Sequence, residues 1–433
     1  MTSVLSPKDI DLNNLELFKE EKAHELLKLL RTEDPVHWNE GTERNNGFWS
    51  ITRYEDILFV SRHPEIFSSA RGIAGPGLRP EFIEQMMGTP AASAAQNSGN
   101  VSIITMDPPR HLKMRRLVNK GFTPRAVNAM EATIRQITND ILDEIASKGE
   151  CDFVTDVAAQ LPLAVICGMA GLEKKDWPMM FELTNSVLGS SDPEYQTDVP
   201  EEQRGSPEAA AQTGAMGRMK MIQYFAQVLA DRRANPREGD LISILLEAEV
   251  EGEKLTEGDI LAFCFLLILA GNETTRNAIS GGLQALCQNP DQKAKLLNDM
   301  TLIDSAVEEI CRWTSPLHHM SRYVTQDVEV GGKQIKQGER VLMWYLSANR
   351  DESMFKDPYR FDIERTPNEH LAFGIGEHFC LGAGFARKEL KVMFEELFRR
   401  LPDIELAGEP ERLRSNFING IKHMPVRFTP EAK

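Results

Sequence analysis

The stretch FGIGEHFCLG, Phe373 to Gly382, decides how the rest of this chain is read. Three glycines flank a single cysteine, Cys380, and a helical pattern begins just beyond it. Glycine lets a backbone adopt positive φ and pass close to a flat ligand. Amides aimed at a sulfur, with a helix N-terminus beside it, stabilise a thiolate. A buried thiolate needs such donors or a metal. The plain alternative is a glycine-rich turn around a buried cysteine.

The other cysteines, Cys151, Cys167, Cys264, Cys287 and Cys311, form no CxxC pair and no zinc spacing. The N-terminus MTSVLSPKDIDLNN is polar and has no secretory signal. Together these predict a reducing, cytoplasmic setting, with most cysteines as small buried hydrophobes. The chain has 433 residues, 41% hydrophobic and 26% charged, enough to build a large core around a sizeable cofactor. A net charge of -16 argues against nucleic acid as a partner. The longest apolar run, Ile260 to Ala270, is far short of the roughly 20 residues that span a bilayer. It predicts a core helix and no membrane span.

Periodicity predicts helices at 15–34, 109–120, 125–148, 154–170, 174–190, 208–233, 240–248, 256–288, 291–298 and 301–313, and one more after Cys380. GFWSITRYEDILFVSRHPEIF reads as a strand, a tight link and a helix. Short strands are expected at 322–330, 333–336 and 340–343, and a strand hairpin within 415–429. Residues 72–100 read as a long binding loop or lid, and 189–207 as a mobile acidic connector. The class is mainly α with small β-sheets (α+β).

Three further stretches carry chemistry. In the long helix, Ala270-Gly271-Asn272-Glu273-Thr274-Thr275 ends an apolar run. Glycine there costs about 1 kcal/mol relative to alanine, threonines bend helices, and an acid next to an alcohol suits proton transfer. Glu309 and Arg312 lie at i,i+3 on one helical face and can pair. His111 and Arg115 share a face at i,i+4 behind Pro108 and Pro109, which suit a helix start. Taken alone, these are equally a polar helix end, a solvated ion pair and surface basic residues.

FGIGEHFCLG resembles the cysteine-ligand loop of the cytochrome P450 family, Phe-Gly-x-Gly-x-(Arg/His)-x-Cys-x-Gly, at every fixed position. The other stretches resemble the family's A-G-x-(Asp/Glu)-Thr, Glu-x-x-Arg and His-x-x-x-Arg motifs, in its order and over nearly the whole chain. The resemblance implies one catalytic domain over 1–433, a triangular prism of helices around a haem b, with a β-rich N-terminal lobe and a helical C-terminal lobe. It implies Cys380 as the axial iron ligand, which favours O–O cleavage. Phe373, Gly374, Gly382, Ala270 and Gly271 would border the haem. His111, Arg115, Arg322 and His378 would hold its propionates, His378 being only partly charged at neutral pH. Thr274 would hold oxygen and water, Glu273 would relay protons, and Thr275 would be structural. Glu309, Arg312 and Arg360, from a Pro-x-Arg-Phe element at 358–361, would form a buried triad that folds the segment before Cys380.

The family's substrate-facing segments map onto Ile103 and Ile104, then Met179, Met180, Val187 and Leu188. Further on they map onto Phe263, Leu267 and Ala270, onto Leu317 and Met320, and onto Phe417 and Ile418. This apolar set suits a lipid-like ligand. GNETTRNAIS and SNFINGIKHMPV resemble the bacterial subgroup that hydroxylates terminal methyls of sterol side chains, methyl-branched lipids and terpenoids such as linalool. Residues 110–125 carry six Lys or Arg and no acid. Lys113, Arg116, Lys120 and Arg125, with Lys388, are expected to dock an acidic ferredoxin. No flavin or Fe–S pattern is fused, so ferredoxin and ferredoxin reductase would supply electrons to a monomeric, O2-using monooxygenase. The alternatives are a peroxide-driven hydroxylase, which often lacks the acid–alcohol pair, and a haem sensor, which would need an effector domain.

Overall fold

The computed structural model describes residues 6–43, 45–76, 102–237, 239–250 and 252–431. Most of the expected loop at 72–100 lies outside these residues.

The helix Glu257–Gln288 is the centre of the molecule. Thr256 caps it: its hydroxyl accepts from the Asp259 amide at 3.1 Å, and the Asp259 carboxylate accepts from the Thr256 amide at 3.3 Å. Such a capping box satisfies two orphan donors of the first turn. By length and composition the helix could cross a membrane, but its flanks are buried against the helices Gln160–Met169, Trp177–Leu188, Pro207–Ala234 and Ile303–Thr314. Glycine is required where it crosses its neighbours. A Cβ on Gly282 would stand 2.8 Å from Ile310 Cγ2 and 3.0 Å from Phe394 Cζ, and one on Gly271 2.9 Å from Ile166 Cδ1. The helix-propensity penalty of glycine is offset by this close approach.

The strands are short and flank the helices. The main sheet has the order Val36–Asn39, Phe48–Ile51, Arg340–Trp344, His319–Val324, Phe67–Ser68. Alternation along His319–Val324 puts Met320 and Arg322 on one face and His319 on the other, where its ring meets Trp344 at 4.7 Å.

Several expected elements are divided. Residues 15–34 form two helices, Glu16–Lys19 and Ala23–Glu33, with Glu21 between them at φ 57. The strands at 415–429 do not form a hairpin with each other. Ile421–His423 pairs with Glu411–Arg412, while Pro425–Arg427 pairs with Glu405–Leu406 and Glu150–Asp152. The connector at 189–207 is tied down rather than loose. Asp192, buried, accepts from the Arg414 amide at 2.9 Å and from Lys422 Nζ at 3.2 Å. Glu194 accepts from Lys422 Nζ at 2.6 Å and meets His423 Nε2 at 3.0 Å. Glu194, Glu411 and His423 are close enough to hold a metal ion. Lys422 Nζ already supplies a cation there, 2.8 Å from Glu411.

The segment before Cys380 is organised by a buried ion cluster. The Glu309 carboxylate, fully buried, accepts from Arg312 Nε and Nη2, each at 2.8 Å. Its second cationic partner is Arg365, with Nε at 3.1 Å, and not the expected Arg360. The Arg360 side chain is exposed, and only its carbonyl joins the cluster, accepting from Arg365 Nη2 at 2.9 Å and Arg312 Nη2 at 3.3 Å. The chain reverses tightly at Asp357, φ 48, which turns the Arg360 side chain outward and brings Arg365 back over Glu309.

Candidate active site

The cysteine loop is built by its glycines. Gly374 and Gly376 have φ of 68 and 75, conformations that disfavour any side chain. A Cβ on Gly376 would also lie 2.7 Å from the carbonyl oxygen of Ser61. The Cys380 amide donates to Phe373 O at 2.9 Å and closes the loop. Gly382, at φ -85, serves differently: its amide and that of Ala383 point at the Cys380 sulfur, ahead of the helix Ala383–Arg400.

Burial pushes the Cys380 thiol up, and those amides, Arg115 and Arg387 oppose the shift without overcoming it. By surface area Cys380 is nonetheless exposed, its side chain facing the open cavity, where a sulfur is held as a thiolate when a metal cation coordinates it. Cys151, Cys167 and Cys264 are pushed up to about 12 by burial. Cys311, raised by burial, also lines the central cavity, but from the helix Ile303–Thr314; Cys380 lines it from the glycine loop.

That cavity has a volume of about 230 Å³. Its wall brings together every expected haem contact: Cys380, Phe373, Gly374, Gly382, Ala270 and Gly271, with His111, Arg115, Arg322 and His378. The last four form a basic corner. Arg322, 6% exposed, donates to the carbonyl of Ser321 at 2.8 Å and makes no ion pair among the described residues. Arg115 donates to Phe379 O at 2.6 Å and Asn119 Oδ1 at 3.2 Å, neither of them an acid. The His111 and His378 rings lie 4.1 Å apart. Burial, Arg322 and His111 pull His378 down to about 3, so it is neutral at pH 7 in this environment. Burial and Arg115 lower His111, whose Nδ1 has no partner. Asp107, the neighbouring acid, is engaged by Ser68 Oγ and by the Ser69 amide at 2.8 Å. Buried cationic groups need compensation. A flat ligand with a central metal and a pair of carboxylates supplies it, so these residues fit haem.

Thr274 lines the same cavity, its hydroxyl donating to Ala270 O at 2.7 Å. Thr275, expected to be structural, also faces it. Glu273 does not line the cavity: it is buried, bonded to Arg276 Nη2 and to Asn277 Nδ2 at 3.2 Å. Arg276 in turn donates to Asn185 Oδ1 at 2.8 Å.

Of the expected substrate residues, Ile103, Ile104, Phe263, Leu267, Ala270, Leu317 and Met320 line the cavity. Met179, Met180, Val187, Leu188, Phe417 and Ile418 do not. Val187 packs against Gly217 of the neighbouring helix, Phe417 stacks towards His319 with centroids 5.5 Å apart, and Ile418 is buried in a bridge with Leu317. Val165, Ile166 and Met169 line it instead. Their one sequence signal is Gly271, whose missing side chain admits Ile166. Glu389 was also missed. It borders the cavity with Oε2 unpartnered, and burial raises it well above the usual carboxylate range.

On the far side of Cys380 a groove is lined by Arg115, Phe379, Arg387, Lys388 and Lys391. Arg116, Lys120 and Arg125 are exposed nearby in sequence. Lys388 pairs with Glu131 at 2.5 Å and Lys391 with Asp304 at 2.7 Å.

A helical fold enclosing a cysteine loop, a carboxylate-seeking basic corner and a threonine over a large apolar cavity defines a haem-thiolate oxidoreductase. The chain belongs to the cytochrome P450 family, whose profile matches residues 80–412, and it is a monooxygenase. It is 40% identical to the methyl-branched lipid omega-hydroxylase of Mycobacterium tuberculosis (strain ATCC 25618 / H37Rv), covering 97% of this chain and 95% of that one. It is 35% identical to the linalool 8-monooxygenase of Pseudomonas putida, over 97% and 99% of the two chains. Among solved structures, a Mycobacterium marinum cytochrome P450 in complex with pseudoionone superposes with a TM-score of 0.84 at 36% identity, covering 99% of both chains.

Proposed function

We propose that this chain is a haem b monooxygenase that hydroxylates a terminal methyl group of a sterol side chain, a methyl-branched lipid or a terpenoid. It acts as a single catalytic domain over 1–433, as a cytoplasmic monomer, with electrons from a separate ferredoxin and its reductase. The observation that carries this reading is one cavity walled at once by Cys380, Thr274 and an apolar surface of Ile103, Phe263, Leu267 and Leu317. The names of the relatives, methyl-branched lipid omega-hydroxylase, steroid C26-monooxygenase and linalool 8-monooxygenase, support the substrate class.

Bound haem supplies O2 binding and its reductive activation. The chain's own residues do the rest. Cys380 offers a sulfur whose charge is tempered by the Gly382 and Ala383 amides. His111, Arg115, Arg322 and His378 orient the cofactor through charge-assisted hydrogen bonds to its carboxylates. Thr274 exchanges its bond to Ala270 O, worth about 0.5–1.5 kcal/mol, for one to a proton donor in the cavity. Glu273, next in sequence and paired with Arg276, relays protons towards the Thr274 hydroxyl. The apolar wall excludes bulk water and presents only the chain end, which directs oxidation to a strong primary C–H bond. Lys113, Arg116, Lys120 and Arg125 complement an acidic ferredoxin beside the Cys380 groove.

A spin-shift titration of the holoenzyme with phytanic acid, cholest-4-en-3-one and linalool tests this. At least one should shift the Soret band and yield a terminal alcohol with a surrogate ferredoxin system. No shift and no product from all three would overturn the substrate class.

A further inference from the structure

A second cavity lies beside the long helix, outside the haem site. Glu273, Asn277, Gly281, Gln284 and Gln288 succeed one another three or four residues apart, so they share one stripe of that helix. The last four of them line this cavity. Facing them are His24, His318, Arg350 and Arg412. The cavity measures about 210 Å³ and opens partly to solvent, where a single water needs roughly 10–15 Å³ of such space.

Its wall carries polar atoms that the protein leaves unpaired. Asn277 Oδ1, His24 Nδ1, His318 Nδ1, Arg350 Nη1 and Arg412 Nε are all buried without a partner. Asn277, His318 and Arg350 are 1%, 3% and 4% exposed. A buried polar group left unpaired has lost its hydration with nothing in return, so a cluster of them calls for water. Asn277 joins this cavity to the relay. Its Nδ2 is 3.2 Å from Glu273 Oε1, and Glu273 Oε2 is itself buried and unpartnered. At the outer end, exposed Glu21 pairs with Arg412 across the wall.

We propose that this cavity is a water-filled antechamber that recharges Glu273 with protons past Asn277, from the side of the relay away from the haem cavity. The inference rests on the reading of Glu273 as the proton relay. Each of the two protons that a turnover consumes leaves Glu273 at the Thr274 side. A water hydrogen-bonded to Asn277 Oδ1 replaces it at Oε2, and the chain of waters regains that proton from bulk solvent near Glu21. Asn277 is a positioning residue: it orients the last water and never carries the proton itself.

Two measurements test this. The first needs no turnover. A high-resolution crystal structure of the holoenzyme should show ordered waters running from Asn277 to Glu21; a dry cavity, or one filled by side chains, overturns the proposal. The second uses whichever of phytanic acid, cholest-4-en-3-one or linalool gives the largest spin shift. With Asn277→Leu and Gln284→Leu, which strip water-binding groups from the cavity wall, product per electron should fall by roughly tenfold, with a larger solvent isotope effect. That is less than the 10²–10⁴-fold of a lost general acid, because Glu273 remains. If Glu273→Gln uncouples turnover while both leucine variants match the wild type, the antechamber is refuted and the relay stands. If Glu273→Gln itself couples normally, the relay reading fails and takes the antechamber with it.

Discussion

Replacing Arg365 should weaken the fold where replacing Arg360 should not. Glu309 is fully buried, and its carboxylate is held by Arg312, Arg365, the Asp362 amide at 2.8 Å and Asn368 Nδ2 at 3.2 Å. Arg365 also ties down the segment that leads to Cys380, donating to Lys356 O at 2.7 Å, Asp357 O at 3.2 Å and Arg360 O at 2.9 Å. Its own side chain is 8% exposed, so solvent does little to screen the pair. Breaking a buried pair costs about 3–5 kcal/mol, and since Arg312 still compensates Glu309, the lower figure applies to Arg365→Ala. Unfolding entropy of roughly 2 cal/mol/K per residue, over 433 residues, turns that loss into a Tm lower by about 3 °C. Arg360→Ala removes an exposed side chain and keeps the carbonyl that matters, so its effect should stay within about 0.5 kcal/mol. Thermal unfolding of the two variants, followed by intrinsic fluorescence and by haem absorbance, is the assay. An Arg360→Ala protein as destabilised as Arg365→Ala, or an Arg365→Ala protein indistinguishable from wild type, would refute the reasoning.

Cys380→Ser should lose the red-shifted Soret band of the reduced carbon monoxide complex while the helical far-UV signal stays intact, because Cys380 meets the cavity and carries no packing contact of the helical core; retention of that band would remove Cys380 as ligand. Thr274→Ala should keep the substrate-induced spin shift yet divert electrons to peroxide by roughly tenfold or more, as judged by peroxide released per NADH; unchanged coupling would sink its role. His423 should make the anchoring of the 189–207 connector depend on pH. Burial pulls its pKa down, but hydrogen bonds from the ring to Asp152 at 2.6 Å and Glu194 at 3.0 Å more than offset that, so it stands above its ordinary value. Its stabilisation is therefore complete below about pH 6.5 and lost as pH rises through the raised value. Hydrogen exchange across 189–207 should quicken over that window relative to His423→Gln at the same pH; parallel profiles would show that the clasp does not titrate.

The local signals in the chain were readable because they reflect short-range chemistry. Gly374 and Gly376 announce positive φ next to Cys380, and helical spacing places Thr274, Glu309 with Arg312, and His111 with Arg115 on shared faces. What failed to show was long-range. Nothing near Arg365 distinguishes it from Arg360; the turn at Asp357 does. Phe417 and Ile418 are as apolar as Leu317, but the bridge between Leu317 and Ile418 spends Ile418 in the core. Acidic, breaker-rich composition at 189–207 suggested a loose connector, and partners more than two hundred residues away, Arg414, Lys422 and His423, hold it in place.

By itself the sequence pointed to haem-thiolate chemistry, since the cysteine we propose as ligand, its glycines and the helix after it lie within a few residues of one another. Only the tertiary structure decided how that chemistry is served. It gathers Arg322, His111, Arg115 and His378 from three separate elements into one basic corner, turns Glu273 away from the haem cavity, and opens a polar cavity behind Asn277. Those placements depend on how helices cross and strands register, and contacts of that kind join residues whose spacing in the chain carries no trace of them.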